Sequence, residues 1–413
     1  LFPGLRNLSF VPSKEDERVP RSRHVVLDEH CLGDLSSLTE LHLRKCMPVE
    51  KVDALFSLGF SLRTLTATIR DQEQMNELFR SLPALESVQL NVDTLTVEET
   101  IHLSSSPTLR RLILKDIRAE ELVLDTMPEL EALMVEVATE EDCRIRVTNC
   151  PALRNVDIES DHFVRGLLPS LAENGSDLYQ LKMRCFEYAD IPHDETFAGL
   201  SSLRHLKCAV SRARMDFWNS LSELQNLLSL ECVLAPTADI AEVVDAVATL
   251  RTLRKLDFSL EYEEEGPLTY VPMERIGQNL RLLQEFQTNI SLGDNLQYFT
   301  HVKHLTVEII QDHNEAPNFH HLRDFHRLTT LSIQCTGPPV HADSLADLQM
   351  LPDFRCLYYP NLFVPPNTHL AKYAHLEGQY AVCAMMPPDP RFVEEAEDFF
   401  DDRLVKISRP GFR

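Results

Sequence analysis

Apolar residues recur along this chain in one short phrase, L-x-x-L-x-L, whose last four positions alternate apolar and polar. Fifteen copies begin at Leu5, Leu38, Leu62, Leu85, Leu109, Leu130, Leu153, Leu178, Leu203, Leu227, Leu253, Leu283, Val302, Leu328 and Phe354. The steps between them run from 19 to 33 residues, and most are 23 to 26. Alternation of period two predicts a strand in every copy. In LTELHL it turns Leu41 and Leu43 to one face and Glu40, His42 and Arg44 to the other; in LRRLIL it buries Leu112 and Leu114 and sends Arg111, Ile113 and Lys115 outward. A unit of this size cannot bury its apolar side alone. It must stack on its neighbours, which predicts a solenoid with one continuous core in place of two or three separate domains.

Parallel strands need a return path across a second layer, and the stretches between phrases supply it. Residues 71–82 place Met75, Leu78, Phe79 and Leu82 on one helical face, and residues 238–250 do the same with Ile240, Val243, Val244 and Val247. Between 109 and 153 the returns IRAEELVLD and CRIRVTNC read as short and extended, so full helices are not expected there. Pro83, Pro107, Pro128 and Pro151 each stand two residues before a phrase, where proline stops a helix and sets an extended approach. The predicted architecture is therefore α/β: a curved solenoid over residues 1–360, with a parallel sheet on its concave face and a mixed helical and extended outer layer. Residues 361–413 are expected to form an atypical C-terminal cap with an acidic tail, in which 389–402 carries seven carboxylates, Phe399 and Phe400. Two long steps hold charged insertions, 13–23 and 261–270, that are expected to emerge as rim loops. The chain opens directly into its first phrase at Leu1, so an N-terminal cap or a preceding domain is expected before it.

Charge changes the list of partners. A formal net charge of −24 argues against nucleic acid, which needs a concentrated basic surface. No charge-free run approaches the roughly 20 residues of a membrane helix, so no membrane contact is expected. Ten cysteines include no C-x-x-C pair, and Cys208 and Cys232 occupy apolar slots of their phrases. Reduced, buried thiols fit the cytosol or the nucleus. The three N-x-S/T sequons are at Asn7, Asn174 and Asn289; the first and third fall inside phrases and read as chance matches.

Catalytic chemistry finds little footing. Nucleophile elbows, phosphate-binding glycine loops and H-E-x-x-H are all missing from the sequence, and twelve glycines leave little backbone to cradle phosphate. Seven histidines fall between 301 and 341, yet none shows compact ligand spacing, and they read as scattered polar side chains. No enzyme activity, cofactor or metal is expected. The outward positions of the strands are more informative. An acidic strip of Glu136, Asp157 and Glu159 abuts a basic strip of Lys182, Arg184, His205 and Lys207, with Ile113 and Met134 as apolar neighbours and Arg111 and Lys115 beside them. These eleven residues are the candidate protein-binding set. Two readings of the strips stay open: a bipolar surface that fixes a partner's register, or mutual neutralisation between adjacent strands. Trp218, the sole tryptophan, falls in an outer helix, either as an interface anchor or as packing for the outer layer.

The phrases, together with SLPALESVQL, SSPTLRRLIL, TMPELEALMV and NCPALRNVDI, resemble the leucine-rich repeat family over residues 1 to about 360. The proline-led, variably spaced units are similar to those of F-box proteins carrying such repeats. That resemblance implies a domain that presents substrates to a cullin-type ubiquitin ligase, reached through an adaptor bound by a segment before Leu1. A non-catalytic regulator of a partner enzyme, such as a GTPase or a phosphatase, is the alternative. In either case the expected partner is another protein, held on the concave face or the rim.

Overall fold

In all fifteen copies the strand starts two residues after the first apolar residue of its phrase, as Leu109 and Arg111 or Leu253 and Lys255 illustrate. The computed structural model describes residues 4–10, 35–43, 55, 58, 60–69, 71–92, 98–139, 142–175, 177–185, 193–210, 215–234, 240–260, 271–290, 292–309, 320–335, 340, 341, 351, 353, 356–358, 362 and 363. The insertions 13–23 and 261–270 and the tail beyond 363 lie outside the described residues. Two compact units divide the chain at Asn226 and Leu227.

The first unit holds β1 (Asn7–Phe10), β2 (Glu40–Leu43), β3 (Thr64–Ile69), β4 (Ser87–Val92), β5 (Glu98–Ser104), β6 (Arg111–Ile117), β7 (Ala119–Asp125), β8 (Ala132–Val137), β9 (Arg144–Thr148), β10 (Asn155–Ser160), β11 (Gln180–Cys185) and β12 (His205–Val210). Nine of them, β1-β2-β3-β4-β6-β8-β10-β11-β12, are neighbours in that order in one sheet, and β5-β7-β9 form a second, three-stranded sheet. Each of these neighbour pairs runs parallel. Alternation controls burial: in β8, Leu133, Val135 and Val137 are buried while Ala132, Met134 and Glu136 are half-exposed.

The returns follow their sequence patterns. Helix α1 (Gln72–Ser81) buries Met75, Leu78 and Phe79, and the Asp71 side chain caps it by accepting from the Gln74 N–H at 2.8 Å. Between 109 and 153 the returns are β7 and β9, as the extended patterns require. The step from Leu109 to Leu130 is only 21 residues, and within it Leu122 and Leu124 alternate inward. The outer sheet also takes in β5, one repeat earlier. Its strands end in left-handed residues at Ser105, Thr126 and Asn149, with φ of 45°, 58° and 55°. Asp125 Oδ1 ties these turns together, accepting from Thr126 Oγ1 at 3.1 Å, Thr148 Oγ1 at 2.9 Å and Asn149 Nδ2 at 2.9 Å. The Asn149 amide, followed by the Thr148 hydroxyl, holds the Asp125 carboxyl below its ordinary range. Helices return with α2 (Leu167–Glu173) and α3 (Met215–Asn219).

The second unit contains β13 (Ser229–Leu234), β14 (Lys255–Leu260), β15 (Glu285–Thr288), β16 (His304–Ile309), β17 (Thr330–Cys335), β18 (Val340–His341), β19 (Cys356–Tyr358) and β20 (Leu362–Phe363). Strands β13 to β17 and β19 continue the repeat pairing, and β18 pairs with β20. Helix α4 (Ile240–Val247) buries Ile240, Val243, Val244 and Val247, the face expected from the sequence. In α5 (Glu274–Asn279), Gly277 lies against Tyr298: a Cβ there would stand 2.6 Å from Tyr298 Cβ and 2.9 Å from its carbonyl oxygen. Only hydrogen fits at that position.

Two sequon asparagines turn out to be structural. Asn289 Oδ1 accepts from the Leu260 N–H at 2.7 Å and its Nδ2 donates to the Leu260 carbonyl at 2.6 Å. Asn174 makes the same pair of bonds to Cys150, both at 2.7 Å. A glycan bond to either Nδ2 would remove the bond to the carbonyl. The sequence reading of Asn289 as a chance match agrees with this placement, and Asn174 joins it. Replacing Asn289 with alanine unpairs a donor and an acceptor between adjacent repeats. We expect a loss of about 2 kcal/mol in urea denaturation of the purified chain; a loss below about 0.5 kcal/mol would show that water replaces the amide.

Cys143, Cys150, Cys208 and Cys232 are buried among apolar side chains. Burial pushes the Cys143 thiol up to about 12, with the Glu121 charge adding to it. Such thiols behave as small apolar side chains.

Candidate protein-recognition face

Outward side chains of β4, β6, β8, β10, β11 and β12 fall into rows because their registers match residue for residue. The first row is Ser87, Arg111, Ala132, Asn155, Gln180 and His205. The second is Gln89, Ile113, Met134, Asp157, Lys182 and Lys207. Glu136, Glu159, Arg184 and Ala209 are in register in the third. Asn91 and Lys115 pair at its other end, before a register shift in β6 between Leu114 and Ile117, where Asp116 is left-handed at φ 58°. All eleven candidate residues stand on this open face. Ile113 and Met134 are neighbours in register, and both are half-buried, less exposed than the alternation alone implied.

The acidic and basic strips meet as ion pairs. Lys115 Nζ lies 2.9 Å from Glu136 Oε2, Arg184 Nη2 lies 2.7 Å from Glu159 Oε2, and Asp157 stands 3.6 Å from Lys182 and 3.8 Å from Arg184. The geometry thus follows the neutralisation reading. Each pair is partly solvated and contributes about 0.2–1 kcal/mol at most, while its charges are engaged with each other. In the second unit Lys255 and Glu285 pair likewise at 3.3 Å.

A column that the strand pattern overlooked runs along the edge where each strand begins. The carbonyl of the residue just before a strand accepts two N–H groups from the next repeat. Arg110 O takes the N–H groups of Glu131 and Ala132 at 2.8 and 3.0 Å, and Arg154 O those of Tyr179 and Gln180 at 2.8 and 2.9 Å. Tyr179 O takes those of Arg204 and His205 at 3.0 and 3.1 Å. This ladder sets Arg63, Glu86, Arg110, Glu131, Arg154, Tyr179 and Arg204 side by side. Arg63 is held by Glu86 at 2.5 Å. Arg110, Arg154 and Arg204 have no ion-pair partner among the described residues; Arg204 Nη1 donates to the Asn226 carbonyl at 2.9 Å. Tyr179 is 47% exposed. Its ring lies 4.9 Å from that of His205, tilted by 56°, and its hydroxyl is 3.0 Å from His205 Nε2. Burial lowers the His205 pKa, which favours the neutral imidazole at physiological pH. The signal was present in the sequence, in the residue after each first leucine: LR, LE, LR, LE, LR, LY, LR from Leu62 to Leu203.

Other candidates resolve differently. Trp218 is 1% exposed and packs edge-on to Phe217 at 5.2 Å, so it belongs to the outer-layer packing. His301 Nε2 bonds the Leu280 carbonyl at 2.9 Å, and burial lowers its pKa. Among the described residues no three His, Cys, Asp or Glu side chains gather in a metal-binding group. No described helix is long and apolar enough to cross a membrane.

Comparison with known proteins agrees with this architecture. The family model described as "FBD-associated F-box protein At5g56370, LRR repeats" matches residues 3–163. The solved structure of TLR13 in complex with ssRNA13 is similar at a TM-score of 0.55 and 17% identity, covering 86% of this chain and 53% of that one. This chain therefore spans about half the length of that relative. A leucine-rich repeat protein of Leptospira interrogans is similar at a TM-score of 0.47 and 16% identity, over 90% of this chain and 98% of that one. An internalin of Listeria monocytogenes gives a TM-score of 0.39 and 13% identity, over 86% and 89%. No curated protein sequence matches.

Proposed function

We propose that this chain, a leucine-rich repeat protein, is a non-catalytic recognition module that works as the substrate-binding part of a ubiquitin-ligase receptor in the cytoplasm or nucleus. The observation that carries this reading is the F-box-associated repeat model, whose match runs from β1 to β10 and so spans the strands that carry Arg111, Ile113, Met134 and Glu136. Ile113 and Met134 supply an apolar centre to that face, and the flanking ion pairs supply a polar rim. That is the layout of a protein contact. The open face, including Lys182, Arg184, His205 and Lys207, is where the partner is expected to lie.

The test is affinity purification of the full-length protein from its own cells, with quantitative mass spectrometry. Recovery of a ligase adaptor and a cullin with the bait supports the receptor reading, and co-purified proteins then become candidate substrates. Their absence, under conditions that keep known ligase complexes intact, overturns it. A different stoichiometric partner with enzymatic activity would overturn it in favour of an enzyme regulator.

A further inference from the structure

Resting on the reading that this face meets a protein, we propose that the edge column of the first unit reads the partner, and that it takes an acidic segment in polyproline II conformation bearing a carboxylate at every third residue. The centre of the open face offers little free charge, because Lys115, Lys182 and Arg184 are already paired with Glu136, Asp157 and Glu159. The edge differs. Arg110, Arg154 and Arg204 carry guanidinium groups without carboxylate partners among the described residues, on a chain whose formal net charge is −24. Guanidinium is the side chain best matched to carboxylate, through two parallel hydrogen bonds.

Spacing selects the ligand's conformation. Arg110, Arg154 and Arg204 precede β6, β10 and β12, and in the sheet order each is two strands from the next. Adjacent strands lie about 4.8 Å apart, so the three side chains are rooted about 9.6 Å from one another. A polyproline II helix advances about 3.1 Å per residue with three residues per turn, which brings every third side chain to the same side at about 9.3 Å. A β-strand places same-side residues about 6.6 Å apart and drifts out of step within two contacts.

The residue between Arg154 and Arg204 is Tyr179, exposed and held by the His205 ring. An ordered aromatic face between cationic contacts is the kind of surface on which polyproline II ligands rest. Glu131 stands between Arg110 and Arg154, so the ligand must be neutral or basic opposite it. Its charge is the feature of the column that opposes an acidic ligand.

Fluorescence anisotropy on the full chain tests this with a labelled (Glu-Pro-Pro)4 peptide, its (Gln-Pro-Pro)4 counterpart and a single-stranded DNA of equal charge. The glutamate peptide is expected to bind best. Arg110→Ala and Arg154→Ala should each weaken it about fivefold or more, and Tyr179→Ala should weaken it while Tyr179→Phe does not. Glu131→Gln should strengthen it about two- to threefold, a gain that misfolding cannot produce. Arg80→Ala, an exposed residue in the last turn of α1 in the outer layer, should leave affinity unchanged. Equal binding of the glutamine peptide, tighter binding of the DNA, indifference to Arg154, or no peptide binding would each overturn the proposal. Cell purification separates the two readings: partners recovered equally by wild type and by the Arg110→Ala, Arg154→Ala double variant overturn the edge column and leave protein recognition standing. Recovery of no partner by either overturns both.

Discussion

Replacing Glu195 with leucine is expected to cost about 2–4 kcal/mol at pH 5, because two backbone N–H groups lose their acceptor inside the first unit. The Glu195 side chain comes from the repeat after α2 and is 1% exposed. One carboxyl oxygen accepts from the Gly166 N–H and the other from the Leu168 N–H, the latter at 3.2 Å. Gly166 is the cap residue of α2, left-handed at φ 74°, and a Cβ on it would sit 3.1 Å from Arg144 Cγ. A helix that starts on a glycine has no capping side chain of its own, so the acceptor is imported from the next repeat. Burial, opposed by these two bonds, raises the Glu195 pKa from 4.5 to about 7. The folded state therefore holds a proton that the unfolded chain releases. The associated stability is full below pH 4.5 and is lost as pH rises through about 7. A tenfold difference in proton affinity between the two states is worth roughly 1.4 kcal/mol, which makes the whole window worth about 3 kcal/mol. Glu195→Gln, which cannot ionise, should flatten that part of the profile. Urea denaturation between pH 4.5 and 8 would measure it; parallel profiles for wild type and Glu195→Gln would rule the mechanism out.

Trp218→Ala should be the most damaging single truncation in the outer layer of the first unit, at about 3–5 kcal/mol. The indole is 1% exposed and edge-on to Phe217, which in turn lies 4.8 Å from Phe197 in the neighbouring repeat. Removing it leaves a cavity that helix α3, only five residues long, is poorly able to close. Trp218→Phe should behave very differently. The indole Nε1 finds no acceptor among the described residues, so phenylalanine removes an unpaired buried donor along with part of the ring. A loss of about 1 kcal/mol or less is expected, read from thermal and urea unfolding. Equal losses in the two variants would mean that the Nε1–H matters and is bonded in solution.

Strand positions were legible in the sequence because burial on one face of a parallel sheet enforces period two: every phrase marks its strand's first residue. Helices α1 and α4 were legible for the same kind of reason, since Met75, Leu78 and Phe79, or Ile240, Val243 and Val247, repeat at helical spacing. The extended returns at β7 and β9 were visible as alternation over too short a step. Pairing on the open face was not. Whether Arg184 bonds Glu159 or reaches a partner depends on register and rotamer, and the sequence holds both outcomes until the strands are aligned. The edge column escaped notice because it lies one residue outside the strand pattern. Glu195 was hidden more deeply: a carboxylate in a loop reads as solvated surface, and only the fold brings it to a helix terminus from another repeat.

The outer sheet of β5, β7 and β9 has a mechanical consequence. A helix is about 10 Å across, so a stack with helices on one side and strands about 4.8 Å apart on the other must fan open like wedge-shaped masonry. Where both layers are strands, the courses have equal height, and nothing forces one repeat to lean on the next. By this argument the stretch from Leu109 to Leu153, flanked by α1 before it and α2 after it, is expected to curve less than repeats backed by helices. The first half of the edge column, from Arg110 to Arg154, lies along this stretch, where a stiff ligand would meet successive contacts without bending.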